Sequence, residues 1–443
     1  MTEPSGDGSE STDGESEQSA TVEQRGDPLL SVSDLETHYP ITEGWLRREV
    51  GRVRAVDGVS FDIYEGETLG LVGESGSGKT TLAHSLLGLE APTAGTVRFD
   101  GDRVDELTGA DQRAFRRRVQ LIVQDPNEAF NPRMQVGKAV AEPLALNGMD
   151  DAARRQAIVE DALERVGLAA EDTDRYPHEF SDGEKQRLAI ARALVVDPDL
   201  LVADEPTSAL DARVQSDILA LLDEVRREFD VSILFVSHDI DVVRRFCDRV
   251  AVMYLGEIVE RGPVDAVLDR PAHPYTRVLL DSVPSLDPGD RDLPAPLTDT
   301  IPDPADPPAG CRFHTRCPAV IGPEDADLPP DQWERLAAFR FTVQVGELPA
   351  AIDLDDPPSE GTVRAAFDLP GTVTDETVAA GVDDAVEALA AGDLDRARER
   401  LAAVLPSVCE QQVPATVEVE GRPVTCHRYD PDVDADPRPW TGE

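Results

Sequence analysis

The chain interleaves short, wholly apolar runs with stripes of helical spacing, and that alternation predicts its architecture. Leu69-Gly70-Leu71-Val72, Leu121-Ile122-Val123, Leu200-Leu201-Val202-Ala203, Ile233–Val236 and Val250–Tyr254 carry almost no polar side chain. Such runs are expected of strands covered on both faces. Between them, Leu82, Leu86, Leu87 and Leu89 begin an amphipathic helix. Ile218, Leu221, Leu222, Val225 and Phe229 mark one face of a second, over about Val214 to Phe229. Alternating strands and helices predict a mainly parallel α/β core. Leu29–Val32, Val59–Ile63 and Thr96–Phe99 are separated by glycine-containing turns and predict a small antiparallel sheet beside that core. The pattern from about Pro132 to Gly183, including Ala152–Val166, is helical, and predicts a helical subdomain over about residues 131–188.

Composition divides the chain further. Residues 1–27 are Ser, Gly, Glu and Asp with little to bury, a disordered acidic tail. Residues 28–285 hold the patterned core. Residues 286–443 form a C-terminal extension, opened by the proline-rich stretch Asp287–Pro308 and interrupted by an acidic insertion over about 325–405 with one helical piece, Val378–Leu405. The 443 residues carry 88 acidic against 42 basic side chains, a net charge of −46, and lysine stands only at Lys79, Lys138 and Lys185. A surface of that sign repels nucleic-acid phosphate, so no nucleic-acid partner is expected. Spread along the chain and poor in lysine, it also suggests adaptation to a salt-saturated cytoplasm, as in halophilic archaea, where the Debye length falls to about 3 Å or less. No apolar run approaches the roughly 18 residues of a membrane span, and the N-terminus lacks a signal-peptide pattern. A cytoplasmic protein is expected, reaching a membrane only through partners.

The candidate chemistry centres on Gly73-Glu74-Ser75-Gly76-Ser77-Gly78-Lys79-Thr80, followed by Thr81. This is G-x-x-x-x-G-K-[ST] between a predicted strand and a predicted helix, the context that makes the pattern a phosphate site. Glycines let backbone N–H groups crowd a polyphosphate at a helix N-terminus. Lys79 supplies a point charge for the β- and γ-phosphates, and Thr80 a hydroxyl for Mg²⁺. Four other segments fit a nucleotide. Asp204 and Glu205 end an apolar strand, the first suited to Mg²⁺ and the second to polarising water; alone, they would read as two carboxylates at a strand end. Gln124 follows a strand and could meet both metal and water, or be a loop glutamine. His238 in Val236-Ser237-His238-Asp239 could meet the γ-phosphate, or pack at the core edge. Phe180-Ser181-Asp182-Gly183-Glu184-Lys185-Gln186-Arg187 puts a Ser-x-Gly turn before the helical run Leu188–Val195, a second anion site.

The order of phosphate loop, Gln124, Ser181–Arg187, Asp204-Glu205-Pro206, Ser208-Ala209-Leu210-Asp211 and His238 resembles the ATPase subunit of ABC transporters, over about Leu29 to Pro284. The resemblance implies a P-loop ABC ATPase core with an antiparallel β subdomain and a helical subdomain. It implies ATP and Mg²⁺ as ligands, and two ATPase domains dimerised head to tail. Carried over, Glu205 is the general base, His238 the switch histidine and Gln124 the lid glutamine. Ser181 and Gly183 would reach the partner's ATP, Asp211 the dimer seam, and Tyr39 the adenine. One departure stands out: the family usually has Ser-Gly-Gly-Gln where this chain has Ser181-Asp182-Gly183-Glu184. Two carboxylates beside a phosphate site should weaken closure on ATP and make this composite site the slower of the two.

Less general stretches are similar to dipeptide and oligopeptide importer ATPases. They are Gly44-Trp45-Leu46-Arg47-Arg48, Ala55–Phe61, Gln124-Asp125-Pro126, Asn131-Pro132-Arg133-Met134, Tyr176–Phe180, His273-Pro274-Tyr275-Thr276 and Pro308–Pro318. That resemblance implies a homologous partner ATPase, two membrane permeases and an external solute-binding protein. The chain would then be peripheral on the cytoplasmic face and drive peptide uptake. An importer of nickel or another solute, or a soluble ABC ATPase of translation or DNA repair, is the alternative; the latter carries two fused units or a long coiled-coil insert, and neither is present. Of five cysteines, Cys247 lies in the core as a packed thiol, and Cys311, Cys317, Cys409 and Cys426 lie in the extension. Some relatives hold a [4Fe–4S] cluster there, with a third cysteine soon after the second. Ile321-Gly322-Pro323-Glu324-Asp325 lacks it, so the insertion would displace the third ligand to Cys409, with Cys426 fourth. Zinc or no ligand remains open, and a disulfide is disfavoured in a reducing compartment.

Overall fold

The computed structural model describes residues 26–45, 48–208, 210–282, 296–323 and 325–433. Nearly all of the acidic N-terminal stretch lies outside them, as do Leu46 and Arg47, Ala209, residues 287–295 of the proline-rich stretch, and Glu324. In chain order the strands are β1 Leu30–Glu43, β2 Arg48–Ile63, β3 Thr68–Val72, β4 Ala94–Phe99, β5 Asp102–Arg103, β6 Val119–Ile122, β7 Leu200–Asp204, β8 Ser232–Ser237, β9 Arg249–Tyr254, β10 Glu257–Pro263, β11 Thr416–Val419 and β12 Arg422–Thr425.

β9, β3, β8, β7 and β6 lie side by side and pair in parallel. Every residue of β3, β7 and β8 is buried, which is why their sequences run apolar instead of alternating. One face packs on the helical side, where Ile233, Phe235, Val250 and Val252 meet Ile218, Leu222 and Val243. The other face, through Leu69, Leu71, Leu234 and Val236, meets Leu30, Val32, Leu35, Phe61 and Ile63 of the antiparallel sheet. Each such aliphatic side chain, fully buried, contributes about 1.5–3 kcal/mol. That second sheet has the order β2-β1-β4-β5, and β1 and β2 form a far longer hairpin than the short apolar runs suggest. The helix after the phosphate loop ends at Leu86, and Leu89 stands beyond it, exposed on the surface.

The helical region consists of Val136–Leu146 and Ala152–Arg165, followed by Asp182–Leu194. Asp151 starts the second by accepting the N–H groups of Ala153 and Arg154.

The extension is built onto the sheet edge. β10 folds back on β9, and the β11–β12 hairpin, near the end of the chain, adds to β10 through Glu260 opposite Val424. Arg422 and Glu260 form a buried ion pair there at 3.1 Å. Removing one member of such a pair costs about 3–5 kcal/mol. The helices Pro330–Val345, Glu360–Ala366, Glu376–Ala390 and Leu394–Val404, which lie between these pieces, have a core of their own built on Phe339, Val382, Val386, Leu389 and Leu401. The single helical piece expected over Val378–Leu405 is thus two helices. Gly392, at φ +77°, breaks it, and Asp393 caps the second by accepting the Arg396 N–H.

Candidate active site

The phosphate loop leaves the C-terminal end of β3 and enters the helix Lys79–Leu86. Two of its glycines are required by space. A Cβ on Gly78 would run into the Ala55 carbonyl, and one on Gly73 into the Met253 carbonyl. Lys79, buried, donates its ammonium to the carbonyls of Gly73 at 2.9 Å and Glu74 at 3.0 Å. Burial lowers the Lys79 pKa, and the carboxylates of Glu205, Asp204 and Glu74 oppose that shift.

Asp204 closes β7 and accepts the Thr80 hydroxyl at 3.4 Å. Burial raises its pKa and the Glu205 charge adds to this, against the Thr80 hydrogen bond. Glu205 follows with φ +45°, a left-handed conformation uncommon for a side chain of this size, and its N–H is held by the Val236 carbonyl at 3.0 Å. Its Oε2 accepts the Gln124 amide at 3.0 Å and lies 3.1 Å from His238 Nδ1. Three residues from the ends of β6, β7 and β8 therefore meet at one oxygen. The cavity they share with the loop measures about 530 Å³ and is lined by Ser75, Gly76, Gly78, Lys79, Thr80, Thr81, Gln124, Glu205 and His238.

Tyr39 is not in that lining. It stands half-buried on β1 opposite Val53, on the same hairpin as Ala55, whose carbonyl abuts Gly78. Ser181, Gly183 and Asp211 also lie outside the lining. Ser181 caps the helix Asp182–Leu194 and Asp211 caps the helix Ala212–Phe229 by accepting the N–H groups of Arg213 and Val214. Gly183 packs directly on Val214, so the two helix starts adjoin.

Around Ser181 the structure changes the electrostatic picture drawn from sequence. The Glu184 carboxylate accepts the Ser181 N–H at 2.8 Å and the Ser181 hydroxyl at 2.7 Å, closing a capping box. The hydroxyl and N–H of Ser181 lower the Glu184 pKa. Asp182 pairs with Lys185 at 3.0 Å, and Lys185 also donates to Asn127 at 2.9 Å. Neither carboxylate is the free repelling charge expected. The Ser181-x-x-Glu184 spacing was itself the signal of a cap.

In the extension, the four thiols of Cys311, Cys317, Cys409 and Cys426 gather from both sides of the four-helix unit. The Cys311 N–H donates to the Cys409 carbonyl at 2.7 Å. All four cysteines are free thiols. Burial raises the pKa of each, to about 12 for Cys426, and neighbouring thiols raise it further for Cys311, Cys317 and Cys426. Among the described residues no three of these sulfurs lie within 4.8 Å of one another. Sequence reasoning missed two contacts that reach the loop from this side: Arg316 pairs with the Glu74 carboxylate, and the Tyr275 hydroxyl accepts the Glu74 N–H at 2.9 Å.

A second cavity, about 440 Å³, opens between the core and the helical region. It is lined by Leu87, Leu89, Phe115, Leu121, Val123, Pro143, Ala189, Arg192 and neighbours.

Comparison with known proteins gives three matches to families. The ABC transporter family model matches residues 56–208, the oligopeptide/dipeptide transporter C-terminal region residues 259–322, and a domain of unknown function residues 330–422. A probable peptide ABC transporter ATP-binding protein of Sinorhizobium fredii is 46% identical over 304 residues, 69% of this chain and 86% of the relative. The dipeptide transport ATP-binding protein of Escherichia coli is 42% identical, over 70% of this chain and 91% of the relative. The oligopeptide transport ATP-binding protein of Bacillus subtilis is 44% identical, over 66% and 90%.

Proposed function

The chain belongs to the ATP-binding subunits of peptide-importing ABC transporters, and on that premise we propose how its residues divide the work. It is an ATPase that couples ATP binding and hydrolysis to uptake of di- or oligopeptides. The convergence of Gln124 and His238 on Glu205 Oε2, beside the Thr80–Asp204 pair, is the observation that carries the site reading.

In this reading ATP places its phosphates in the cradle of Gly73–Thr81, and Lys79 exchanges its two loop carbonyls for phosphate oxygens. Thr80 and Asp204, with Gln124, would hold Mg²⁺, which would supply positive charge to the phosphoryl oxygens. Glu205 accepts the proton of the attacking water, and His238 and Gln124 keep its carboxylate oriented. Tyr39 stacks on adenine. Ser181 and Gly183, outside this cavity, serve the ATP of a partner ATPase, with Asp211 at the seam. To do so Ser181 must release its hydroxyl from Glu184, a step that a glutamine at this position would ease.

The partner is a homologous ATPase subunit, and the pair docks on two permeases served by an external binding protein. Among the described residues no helix is long and apolar enough to cross a membrane, so attachment to the cytoplasmic face runs through the permeases. The groove between Leu89 and Pro143 offers the apolar seat for a permease segment, and the helical region carries its motion. A [4Fe–4S] cluster would be held by the thiolates of Cys311, Cys317, Cys409 and Cys426, supplying a one-electron couple and a covalent tie between both ends of the four-helix unit.

The test is reconstitution of chain, partner and permeases in vesicles with an internal peptide trap. ATP-dependent peptide accumulation is expected. ATP hydrolysis with no peptide moved would remove the import reading.

A further inference from the structure

We propose that Arg316, in the cysteine-bearing loop of the extension, is a positioning residue for the phosphate loop and acts through Glu74. The inference rests on the nucleotide reading above and concerns a residue to which that reading gives no role.

A carboxylate at the second position of a phosphate cradle needs explaining, because it puts negative charge next to a polyanion. The structure turns it away. Glu74 is absent from the cavity lining, and its two carboxylate oxygens take a bidentate fork from Arg316 at 2.7 and 2.9 Å. Arg316 is itself fixed. It is 5% exposed, lies 5.8 Å from the ring centres of both Tyr254 and Phe313, and reaches the Tyr254 hydroxyl at 3.4 Å. Tyr254, Tyr275 and Phe313 pack on one another with ring centres 4.5 to 5.4 Å apart. Burial opposes the Arg316 charge, but the Glu74 carboxylate outweighs it and the guanidinium pKa is raised.

Glu74 is thus held at three points. Its carboxylate is on Arg316, its N–H is on Tyr275, and its carbonyl receives Lys79. The Glu74 charge already acts on Lys79. Without Arg316 the carboxylate is released on the side of the loop that holds the one lysine of the cradle, and competes with phosphate for it. The fork therefore does two things at once: it neutralises an acid next to the nucleotide, and it fixes the backbone from which Lys79 is aimed.

The experiment measures Mg-ATP affinity by calorimetry on the full-length chain carrying Glu205→Gln to stop hydrolysis. Adding Arg316→Gln is expected to weaken ATP binding about tenfold. Adding Glu74→Gln as well is expected to restore it to within about threefold, because the unpaired charge is gone. In the assembled ATPase with Glu205 intact, Arg316→Gln raises KM for ATP and leaves kcat within about twofold. Unchanged affinity in Arg316→Gln overturns the proposal. So does a double variant as weak as the single one, which would make Arg316 a brace of the extension only. A reference chain that binds no ATP overturns the nucleotide reading and this inference with it.

Discussion

His238 Nδ1 lies 3.1 Å from Glu205 Oε2, across 33 residues of sequence and at the ends of two adjacent strands. The Gln124 amide donates to the same oxygen. An acceptor held from two sides is a base already aimed. Glu205→Gln is expected to lower ATP hydrolysis by about 10²–10⁴-fold while ATP binding persists. Phosphate release and nucleotide binding measured on one preparation check this, and hydrolysis indifferent to the change would remove Glu205 from the site.

The segment at Ser181 gives a second prediction. Asp182 keeps an ion pair with Lys185 on an exposed surface, so its repulsion of ATP is blunted and not abolished. Asp182→Gly is expected to raise turnover of the assembled transporter by about two- to fivefold. If turnover stays where it was, this composite site is not the slower one.

The four thiols of the extension give a third. Protein purified without oxygen is expected to carry about four iron atoms per chain with visible absorption, and Cys409→Ser to lose both along with thermal stability. Metal analysis that finds neither iron nor its absorption bands in the anaerobic wild type ends the cluster reading.

Glu257 supplies a pH dependence. Burial pushes its pKa up to about 7, against the charge of Arg312, whose Nε is 2.9 Å away. Between its ordinary value of 4.5 and about 7 the folded chain keeps a proton that the unfolded chain has lost. Its contribution to stability is therefore fully present below the lower value and lost as pH rises through the upper one. Glu257→Gln removes that dependence. The melting midpoint of the variant minus that of wild type should grow from pH 5 to pH 8; a difference flat in pH would contradict the shift.

What could be read in advance follows from how local its cause is. β3, β7 and β8 were legible because burial on both faces confines polar residues to their ends. The loop, Asp204, Glu205 and His238 were legible because each sits at a strand end where its motif is contiguous. The long β1–β2 hairpin was not, since in residues 39–43 and 48–54 it is rich in polar side chains and only partly buried or exposed. The helices from Pro330 onward were blurred by acidic, alanine-rich sequence whose caps, Ser359 and Asp375, look like surface residues until the turn is built. Arg316 and Glu74 stand 242 residues apart, and no spacing rule reaches that far.

The two ends of the four-helix unit meet. Ser407 donates its hydroxyl to the Ile321 carbonyl at 2.6 Å, and Cys311 and Cys409 are joined by a backbone hydrogen bond. Everything between Ile321 and Ser407 leaves and re-enters the protein at a single gate, carrying its own core. The unit is therefore a cartridge: a linker of a few residues could replace it without parting the four cysteines. An engineer could graft a reporter or a foreign domain at that gate, and the motor would register it through the contacts that fasten the cartridge to its socket, among them the Trp333 indole bond to Val320, the Arg340–Glu410 pair and the Glu347 carboxylate on Asp299 and Thr300.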